Sequence, residues 1–375
     1  MFILDVHLLP SLMHPLVFAQ TSAKLLKELD VIVRRYIRRW LRLPHDTPKA
    51  FFHAEVKAGG LGIGILQFRI PILRRTRLER LFTSSDPVIQ HIVKHSRAFL
   101  ARARGLAAVR RVGADFLRNK EDLKRVMNRQ LHESVDGRGL SQHDLVPSVH
   151  TWVRSGTKLL TGGGYVHAVQ VRGNLLHTSM RASRGRGVNE SGGCEACGRR
   201  ETLAHILQVC PKTSSERNTR HDRLVQYVAA TARRKKWEVV VEPIVQVPGG
   251  RNRCPDLIIT RKGQLGAAVD VTVAADNFNL SRVHADKVVY YDSPAVRSHV
   301  ARIAEVPDHS VVISSVSLNW RGALSRESDS FLTTLGFSKS EKEVLSVRAL
   351  EGAYAIYGAH KRGTWRSGNR RPVHQ

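Results

Sequence analysis

Apolar residues recur at three- and four-residue steps between residues 21 and 43, a spacing that predicts one long helix. Thr21 or Ser22 is placed to cap its start, and Pro44 ends it. The predicted apolar stripe consists of Leu25, Leu29, Ile32, Val33, Tyr36 and Trp40. After a glycine-rich turn, a second, arginine-rich helix is expected over 71–82.

The next hundred residues, 86–190, have a mainly helical pattern that becomes rich in Gly, Ser and Arg towards its end. The stretch 183–193 is predicted to be a flexible basic linker and a domain boundary. Segments rich in Val and Ile, separated by Gly and Pro turns, then predict strands. We expect a helix at 216–235, followed by three strands at 237–247, 255–260 and 267–275. A second helix is expected at 280–291 and a fourth strand at 310–320.

This order predicts an α/β layered domain with a central mixed sheet, so that the whole chain has an α+β multidomain fold. The tail from residue 361 is expected to be basic and disordered. With 375 residues and 42% hydrophobic composition, the chain is long enough for several domains with cores of their own.

The charge of the chain points to a polyanionic partner. Lys and Arg exceed Asp and Glu by 28, which disfavours an enzyme of small metabolites and favours nucleic acid. No apolar run is long enough to span a membrane, so no membrane partner is expected. Five arginines of the first helix are candidates for phosphate contact, the alternative being an ordinary solvated face: Arg34, Arg35, Arg38, Arg39 and Arg42.

Three of the four cysteines cluster with one histidine in the pattern C-x2-C-x7-H-x4-C. The residues are Cys194, Cys197, His205 and Cys210. Three sulfurs and one imidazole complete a tetrahedron, so the pattern predicts a structural Zn²⁺ in a reducing compartment. The alternative is a set of unbound thiols beside a core histidine. Cys254 stands apart and is expected to be a buried or incidental thiol.

Two carboxylates form a second candidate site. If the strands at 255–260 and 267–275 form a hairpin centred on Gly263, Asp256 lies opposite Asp270. Cross-strand partners have Cβ atoms about 5 Å apart, and two acids so close repel each other unless a cation or a proton lies between them. A divalent metal satisfies both, and oxygen ligands select Mg²⁺ or Mn²⁺. The alternative is that Asp256 caps a turn and Asp270 pairs with an arginine.

The helix at 280–291 carries a third candidate group. Lys287 shares a face with Tyr290 and Tyr291, and a lysine there is suited to orient an attacking water or to neutralise a phosphoryl oxygen. The sequence alone does not bring this helix to the hairpin. Glu242, on the preceding strand, is a further candidate ligand.

Taken in order, these motifs resemble the C-terminal part of the Pol polyprotein of non-LTR retrotransposons that carry a restriction-like endonuclease and insert into ribosomal RNA genes. The cysteine–histidine spacing matches that family's knuckle, and RCPD-x13-D resembles its basic-x-P-D-x12–14-D motif. Lys287 is where the family's displaced lysine is expected, whereas Thr272 departs from the ordinary D-x-K order of restriction enzymes. Residues 38–63 are similar to the thumb segment that follows the family's polymerase palm.

The resemblance implies five regions. They are a thumb-like helical region at 1–85, a helical region with a linker at 86–190, a zinc knuckle at 191–215, a restriction-like endonuclease core at 216–325, and a C-terminal extension with a basic tail at 326–375. The palm motif F/Y-A-D-D is not in this sequence. We therefore expect the C-terminal part of a larger RNA-directed DNA polymerase, without polymerase activity of its own.

The implied activity is Mg²⁺-dependent nicking of target DNA in the nucleus, to prime reverse transcription of the element RNA. Asp256 and Asp270 would hold Mg²⁺, and Lys287 would act on the attacking water. No small-molecule substrate is implied. The alternative function is a non-catalytic, zinc-stabilised nucleic-acid-binding protein, and a basic protein of membrane surfaces is a third possibility.

Overall fold

The computed structural model describes residues 3–19, 21–106, 110–113, 115–184 and 192–365. The chain divides into two compact units, Met1–Arg138 and Gly139–Gln375. This division lies within the predicted segment 86–190. Most of the linker predicted at 183–193 lies outside the described residues, as does the predicted tail beyond residue 365.

The first unit is mainly helical. Its elements are α1 (Leu9–Phe18), α2 (Ala23–Trp40), α3 (Lys49–His53), α4 (Leu66–Phe82), α5 (Pro87–His95), α6 (Arg97–Leu106), β1 (Arg110–Val112), β2 (Asp115–Leu117) and α7 (Lys120–Glu133). The long helix predicted at 21–43 corresponds to α2, and Ser22 is its cap, accepting the Leu25 N–H at 3.1 Å.

The predicted apolar stripe of α2 is not its buried face. The buried positions are Leu26, Asp30, Arg34 and Ile37. Four residues of the predicted stripe are exposed, namely Leu25, Ile32, Tyr36 and Trp40. Both sets recur at helical spacing, and hydrophobicity alone selected the wrong one.

Asp30 and Arg34 are buried because neighbouring groups satisfy them. The Asp30 carboxylate accepts the backbone N–H groups of Leu66 and Gln67 at 2.7 and 2.9 Å, where α4 begins. Arg34 interacts electrostatically with Asp30 and donates from Nη1 to His53 Nε2 at 3.1 Å. Paired charges with complete hydrogen bonds tolerate a buried position that an unpaired charge does not.

The second unit contains a four-stranded sheet with helices on both faces. Its elements are α8 (Trp152–Ser155), α9 (Gly162–Arg172), α10 (Ser179–Ala182), α11 (Leu203–Gln208), α12 (Ser214–Arg234), β3 (Glu238–Val241), β4 (Leu257–Arg261), β5 (Leu265–Ala274), α13 (Leu280–Tyr291), α14 (Pro294–Ala304), β6 (Val312–Asn319), α15 (Arg326–Thr334) and α16 (Lys339–Trp365). The predicted order of elements is confirmed, with one additional helix, α14.

The strand order is β3-β4-β5-β6. The first three strands are antiparallel, and β6 is parallel to β5, so the sheet is mixed as predicted. One face packs against α12, α15 and α16, and the other packs against α14 and the end of α13. Strand β5 lies inside the sheet and is buried continuously over 266–271, which places any side chain at its centre in the core.

The predicted register of the central hairpin is confirmed. Leu257 pairs with Val269, which is the register that sets Asp256 opposite Asp270. Gly263 lies in the turn with a φ of +66°, a conformation that glycine adopts without strain. The prediction that disorder starts at residue 361 is wrong for 361–365, because α16 continues to Trp365. Among the described residues, no helix is both long and apolar enough to cross a membrane.

Candidate functional site

The acid pair lies where β4 begins beside the middle of β5. Asp256 directly precedes β4, and its Oδ2 accepts the backbone N–H of Val271 at 2.6 Å. Asp270 is 4% exposed, in the middle of the buried strand. Since side chains alternate along a strand, Asp270 shares the sheet face of Ala268, which packs against α14 and the end of α13.

Lys287 reaches this pair from α13. Its Nζ lies 3.1 Å from Asp270 Oδ1, and its side chain is 37% exposed. The helix therefore brings the predicted lysine to the predicted acid. The alternative in which Asp270 pairs with an arginine is wrong, because the ion pair is with Lys287.

The second oxygen of Asp270 needs a positive partner. Asp270 Oδ2 is buried and has no hydrogen-bond partner among the described residues. Burial raises the pKa of Asp270, Asp256 raises it further, and Lys287 lowers it. A divalent cation beside the two carboxylates would satisfy this oxygen, so the donor set fits Mg²⁺, which binds one or two carboxylates and completes its shell with water and phosphate.

The structure adds His221, which the sequence analysis missed. His221 lies on α12, and its Nε2 donates to Asp256 Oδ2 at 3.2 Å. This hydrogen bond, together with the charges of Asp256, Asp222 and Asp270, raises the pKa of His221 to about 9. No local pattern marked this histidine, because it lies 35 residues before Asp256 and only the packing of α12 on the sheet brings it there.

The remaining predicted residues frame the acids. The hydroxyl of Tyr291 donates to the Cys254 carbonyl at 3.1 Å, and burial together with the two acids raises the pKa of Tyr291. Tyr290 is exposed. Glu242 contributes its backbone N–H, which donates to the Asp256 carbonyl at 2.9 Å. Cys254 is exposed, so of the two alternatives the buried thiol is wrong and the incidental thiol remains.

The predicted knuckle residues converge. The ligand atoms of Cys194, Cys197, His205 and Cys210 all lie within 4.8 Å of one another. The Sγ atoms of Cys194 and Cys210 are 3.9 Å apart, and Cys197 Sγ is 3.3 Å from His205 Nε2. A tetrahedral zinc requires about 3.7 Å between sulfurs and about 3.5 Å between sulfur and nitrogen, so the cluster could hold Zn²⁺.

Local structure explains this convergence. Gly198 has a φ of +71° and turns the chain just after Cys197. Thr202 caps α11 by accepting the His205 N–H at 3.0 Å. Burial raises the pKa of Cys210 to about 11, and a cation would offset the cost of its thiolate.

A second histidine borders the knuckle. His360, on α16, is fully buried, and its Nε2 lies 3.4 Å from Cys194 Sγ. Beside it, Lys361 forms an ion pair of 2.6 Å with Glu201, which is buried. The long C-terminal helix is therefore fastened to the knuckle by two consecutive residues. Sequence spacing gave no sign of this contact, because 166 residues separate His360 from Cys194.

The five arginines of α2 fall into two groups. Arg35, Arg39 and Arg42 are exposed. Arg38 is half-buried over the ring of Phe52, 5.1 Å from its centroid. Arg34 is buried against Asp30 and His53, so its side chain is committed to the core of the first unit.

Comparison with known proteins identifies the family. A Pol polyprotein from the type-1 retrotransposable element R2 of Nasonia vitripennis is 32% identical over 372 residues, covering 99% of this chain and 35% of the relative. One from the type-2 element R2DM of Drosophila melanogaster is 32% identical over 362 residues, covering 95% and 33%. One from R2 of Popillia japonica is 30% identical over 370 residues, covering 98% and 80%.

The chain belongs to the R2 family of retrotransposon Pol polyproteins. The sequence resemblance to a non-LTR retrotransposon Pol protein is thereby confirmed. The chain spans about a third of the length of the Nasonia and Drosophila relatives. No family profile matches the chain. Membership in the R2 family does not by itself assign a role to the acid pair.

Proposed function

We propose that the second unit is a Mg²⁺-dependent DNA endonuclease that nicks target DNA to prime reverse transcription of an R2-type element. The observation that carries this proposal is the meeting of Asp256, Asp270 and Lys287 from three elements on one face of the sheet. An oxygen ligand pair beside a lysine is the set that phosphodiester hydrolysis needs.

In the proposed reaction, Asp256 and Asp270 would hold Mg²⁺, and Lys287 would face the attacking water or a phosphoryl oxygen. When bound, Mg²⁺ would neutralise the scissile phosphate and lower the pKa of the attacking water. The water oxygen bonds to phosphorus as it gives up a proton, the bond from phosphorus to O3′ breaks, and the leaving O3′ takes up a proton. The products are a 5′ phosphate and a 3′ hydroxyl, and the latter is the group that a polymerase extends.

The chain's own residues divide the work. Val271 N–H and His221 both donate to Asp256 Oδ2. These two hydrogen bonds orient the carboxylate and leave Oδ1 to bind the cation. Lys287 holds Asp270 Oδ1, which leaves Oδ2 for the cation. Each acid therefore has one oxygen positioned by the protein, and such positioning is what a catalytic metal site requires.

Binding of the substrate is proposed for the basic surfaces and the knuckle. The excess of 28 positive charges supports contact with the phosphates of target DNA and of the element RNA. Exposed Arg35, Arg39 and Arg42 support a contact on α2. The proposal further holds that the chain acts in the nucleus as the C-terminal part of an RNA-directed DNA polymerase; the relatives in the R2 family are named Pol polyproteins.

Nicking of supercoiled plasmid tests the proposal. We expect the wild-type chain to convert plasmid to the open-circular form with Mg²⁺ and not with Ca²⁺, and Asp270→Asn to lose this activity by about 1,000-fold or more. The control is Asp308→Asn, because Asp308 is an exposed acid beside Arg297 and Ser298. If wild type binds DNA and never nicks it, the chain is the non-catalytic, zinc-stabilised binding protein.

A further inference from the structure

A cavity separate from the acid pair lies between α12 and α16. Its volume is about 390 Å³, and its lining includes three arginines and one glutamate, namely Arg220, Arg223, Arg348 and Glu351. Arg220 precedes His221 on α12, and consecutive helical residues point about 100° apart. The cavity and Asp256 therefore flank the same helix on different sides.

Arg220 is a buried cation without a counter-ion. It is 4% exposed, and among the described residues no carboxylate lies within ion-pair distance of it. Its Nε and Nη1 have no hydrogen-bond partner there, and Nη2 reaches only Gln208 Oε1, at 3.4 Å. Burial, together with the charge of Arg217, lowers the pKa of Arg220 to about 10.

Helix α16 makes room for this arginine. A Cβ added at Gly352 would lie 2.5 Å from Arg220 Cγ and 3.0 Å from its Cδ. Glycine is an unfavourable residue inside a helix, and its use here lets the stem of Arg220 lie against α16. The guanidinium is therefore held at the cavity wall by packing, and within the described part of the chain no acid forms an ion pair with it.

The charge of the cavity suits an oxyanion. Arg223 and Arg348 are exposed at its rim, and Arg348 also stacks over Tyr227, 4.6 Å from the ring centroid. Glu351 faces these two rim arginines, as their influence on its pKa shows. This leaves the buried guanidinium without an acid, and its planar fork of donors matches a phosphate group.

We propose that this cavity binds a phosphate of a polynucleotide backbone, with Arg220 as the buried donor and Arg223 and Arg348 at the rim. The anion site stands on the geometry of α12 and α16. Only the identity of the anion as part of a nucleic-acid strand rests on the proposed function. Since the cavity lies across α12 from Asp256, it would hold the strand at a second point, away from the cleaved bond.

The experiment measures binding without Mg²⁺, so that nicking does not enter. Calorimetric titration of the whole chain with inorganic phosphate comes first, at constant ionic strength, followed by anisotropy of a fluorescent DNA duplex over a range of salt. The variant is Arg220→Met. The matched control is Arg302→Met, because Arg302 is an exposed arginine of α14, on the opposite face of the sheet.

We expect Arg220→Met to weaken phosphate binding at least tenfold and to lower the slope of log K against log salt by about 0.9, which is the loss of one phosphate contact. Arg302→Met should leave phosphate binding unchanged. Gly352→Ala should weaken phosphate binding without removing any charge. Arg348→Met, on the exposed rim, gives a smaller loss and serves if the buried variants do not fold.

Two results overturn the proposal. Equal phosphate binding by wild type, Arg220→Met and Arg348→Met removes the anion site. A loss of phosphate binding with an unchanged duplex affinity and salt slope means that the cavity takes a free phosphate or nucleotide, and the polynucleotide assignment is wrong. A plasmid that is never nicked changes neither result, so the two proposals fail separately.

Discussion

Lys287 Nζ lies 3.1 Å from Asp270 Oδ1, across the gap between α13 and β5. The acid is buried in the sheet and the lysine is partly exposed, so the pair connects the core to the surface. Lys287 contacts only one of the two oxygens of this acid. Here Asp270 Oδ2 stays without a hydrogen bond among the described residues, which is the arrangement of a ligand.

Asp270→Asn should stabilise the fold while it abolishes nicking. Because the folded-state pKa of Asp270 is raised, chiefly by burial, the ionised carboxylate opposes folding at neutral pH. Without added Mg²⁺, we expect the melting temperature of the second unit to rise by about 2–4 °C at pH 7.5. The measurement is thermal melting followed by circular dichroism.

Thermal melting of wild type and Asp270→Asn at acidic pH provides the control. The benefit of Asp270→Asn should disappear as the pH falls below the ordinary pKa of aspartate, where the wild-type carboxyl is protonated in both states. If Asp270→Asn melts at a lower temperature than wild type at pH 7.5, the ionised carboxylate of Asp270 does not destabilise the fold, and this explanation is wrong.

His221 should make stability depend on pH in the mildly alkaline range. Its hydrogen bond to Asp256 raises its pKa from 6.5 to about 9, so its contribution is complete below pH 6.5 and is lost as the pH rises through 9. Because the side chain is about one-third exposed, we expect only about 1 kcal/mol after screening by solvent.

The measurement is urea unfolding of wild type and His221→Gln at several pH values. The difference in free energy of unfolding between the two should shrink between pH 6.5 and 9. A constant difference across that range would mean that His221 is not charged beside Asp256.

Removal of the zinc proposed for the knuckle should loosen α16 as well as the knuckle itself. His360 on α16 lies 3.4 Å from Cys194 Sγ, so loss of the ion frees the contact that fastens this helix. We expect a chelator, or Cys210→Ser, to lower the melting temperature by several degrees. Hydrogen exchange should speed up in α11 and in the part of α16 around His360.

Helix α14 is the internal control for this experiment, because it packs on the opposite face of the sheet. Its exchange should change little. Faster exchange confined to the knuckle, with α16 unchanged, would show that His360 does not couple the two.

Substitution of the exposed arginines of α2 should affect nucleic-acid binding, whereas substitution of the buried Arg34 should affect stability. Replacing Arg35, Arg39 and Arg42 together by methionine should lower the salt slope of nucleic-acid binding by up to about 3 and leave the fold intact. Arg34→Met should lower the free energy of unfolding by about 1–3 kcal/mol, because it leaves the buried His53 Nε2 without its hydrogen bond and removes the positive charge near Asp30. The measurements are anisotropy across salt and urea unfolding of each protein.

If the triple variant binds with an unchanged salt slope, these arginines are an ordinary solvated face. A folded and fully stable Arg34→Met would contradict the buried pair.

The sequence predicted those features that depend on residues close together along the chain. The hairpin register follows from Gly263, and the knuckle follows from the spacing of its ligands, so both were accessible. The buried face of α2 could not be predicted from the sequence. Asp30 and Arg34 are buried because they form hydrogen bonds with groups on α4 and α3, and a hydrophobicity pattern contains no information about such contacts. His221 and His360 were missed for a similar reason, since only tertiary packing brings each to its partner.

The central claim is that Asp256 and Asp270 together hold one divalent ion. Mn²⁺ tests it directly, because electron paramagnetic resonance counts free and bound Mn²⁺, and a thiolate-rich knuckle does not favour this hard ion. We predict one Mn²⁺ bound per wild-type chain in the presence of a DNA duplex, lost in Asp256→Asn and in Asp270→Asn and kept in Asp308→Asn. Equal Mn²⁺ binding by all four proteins would contradict the account.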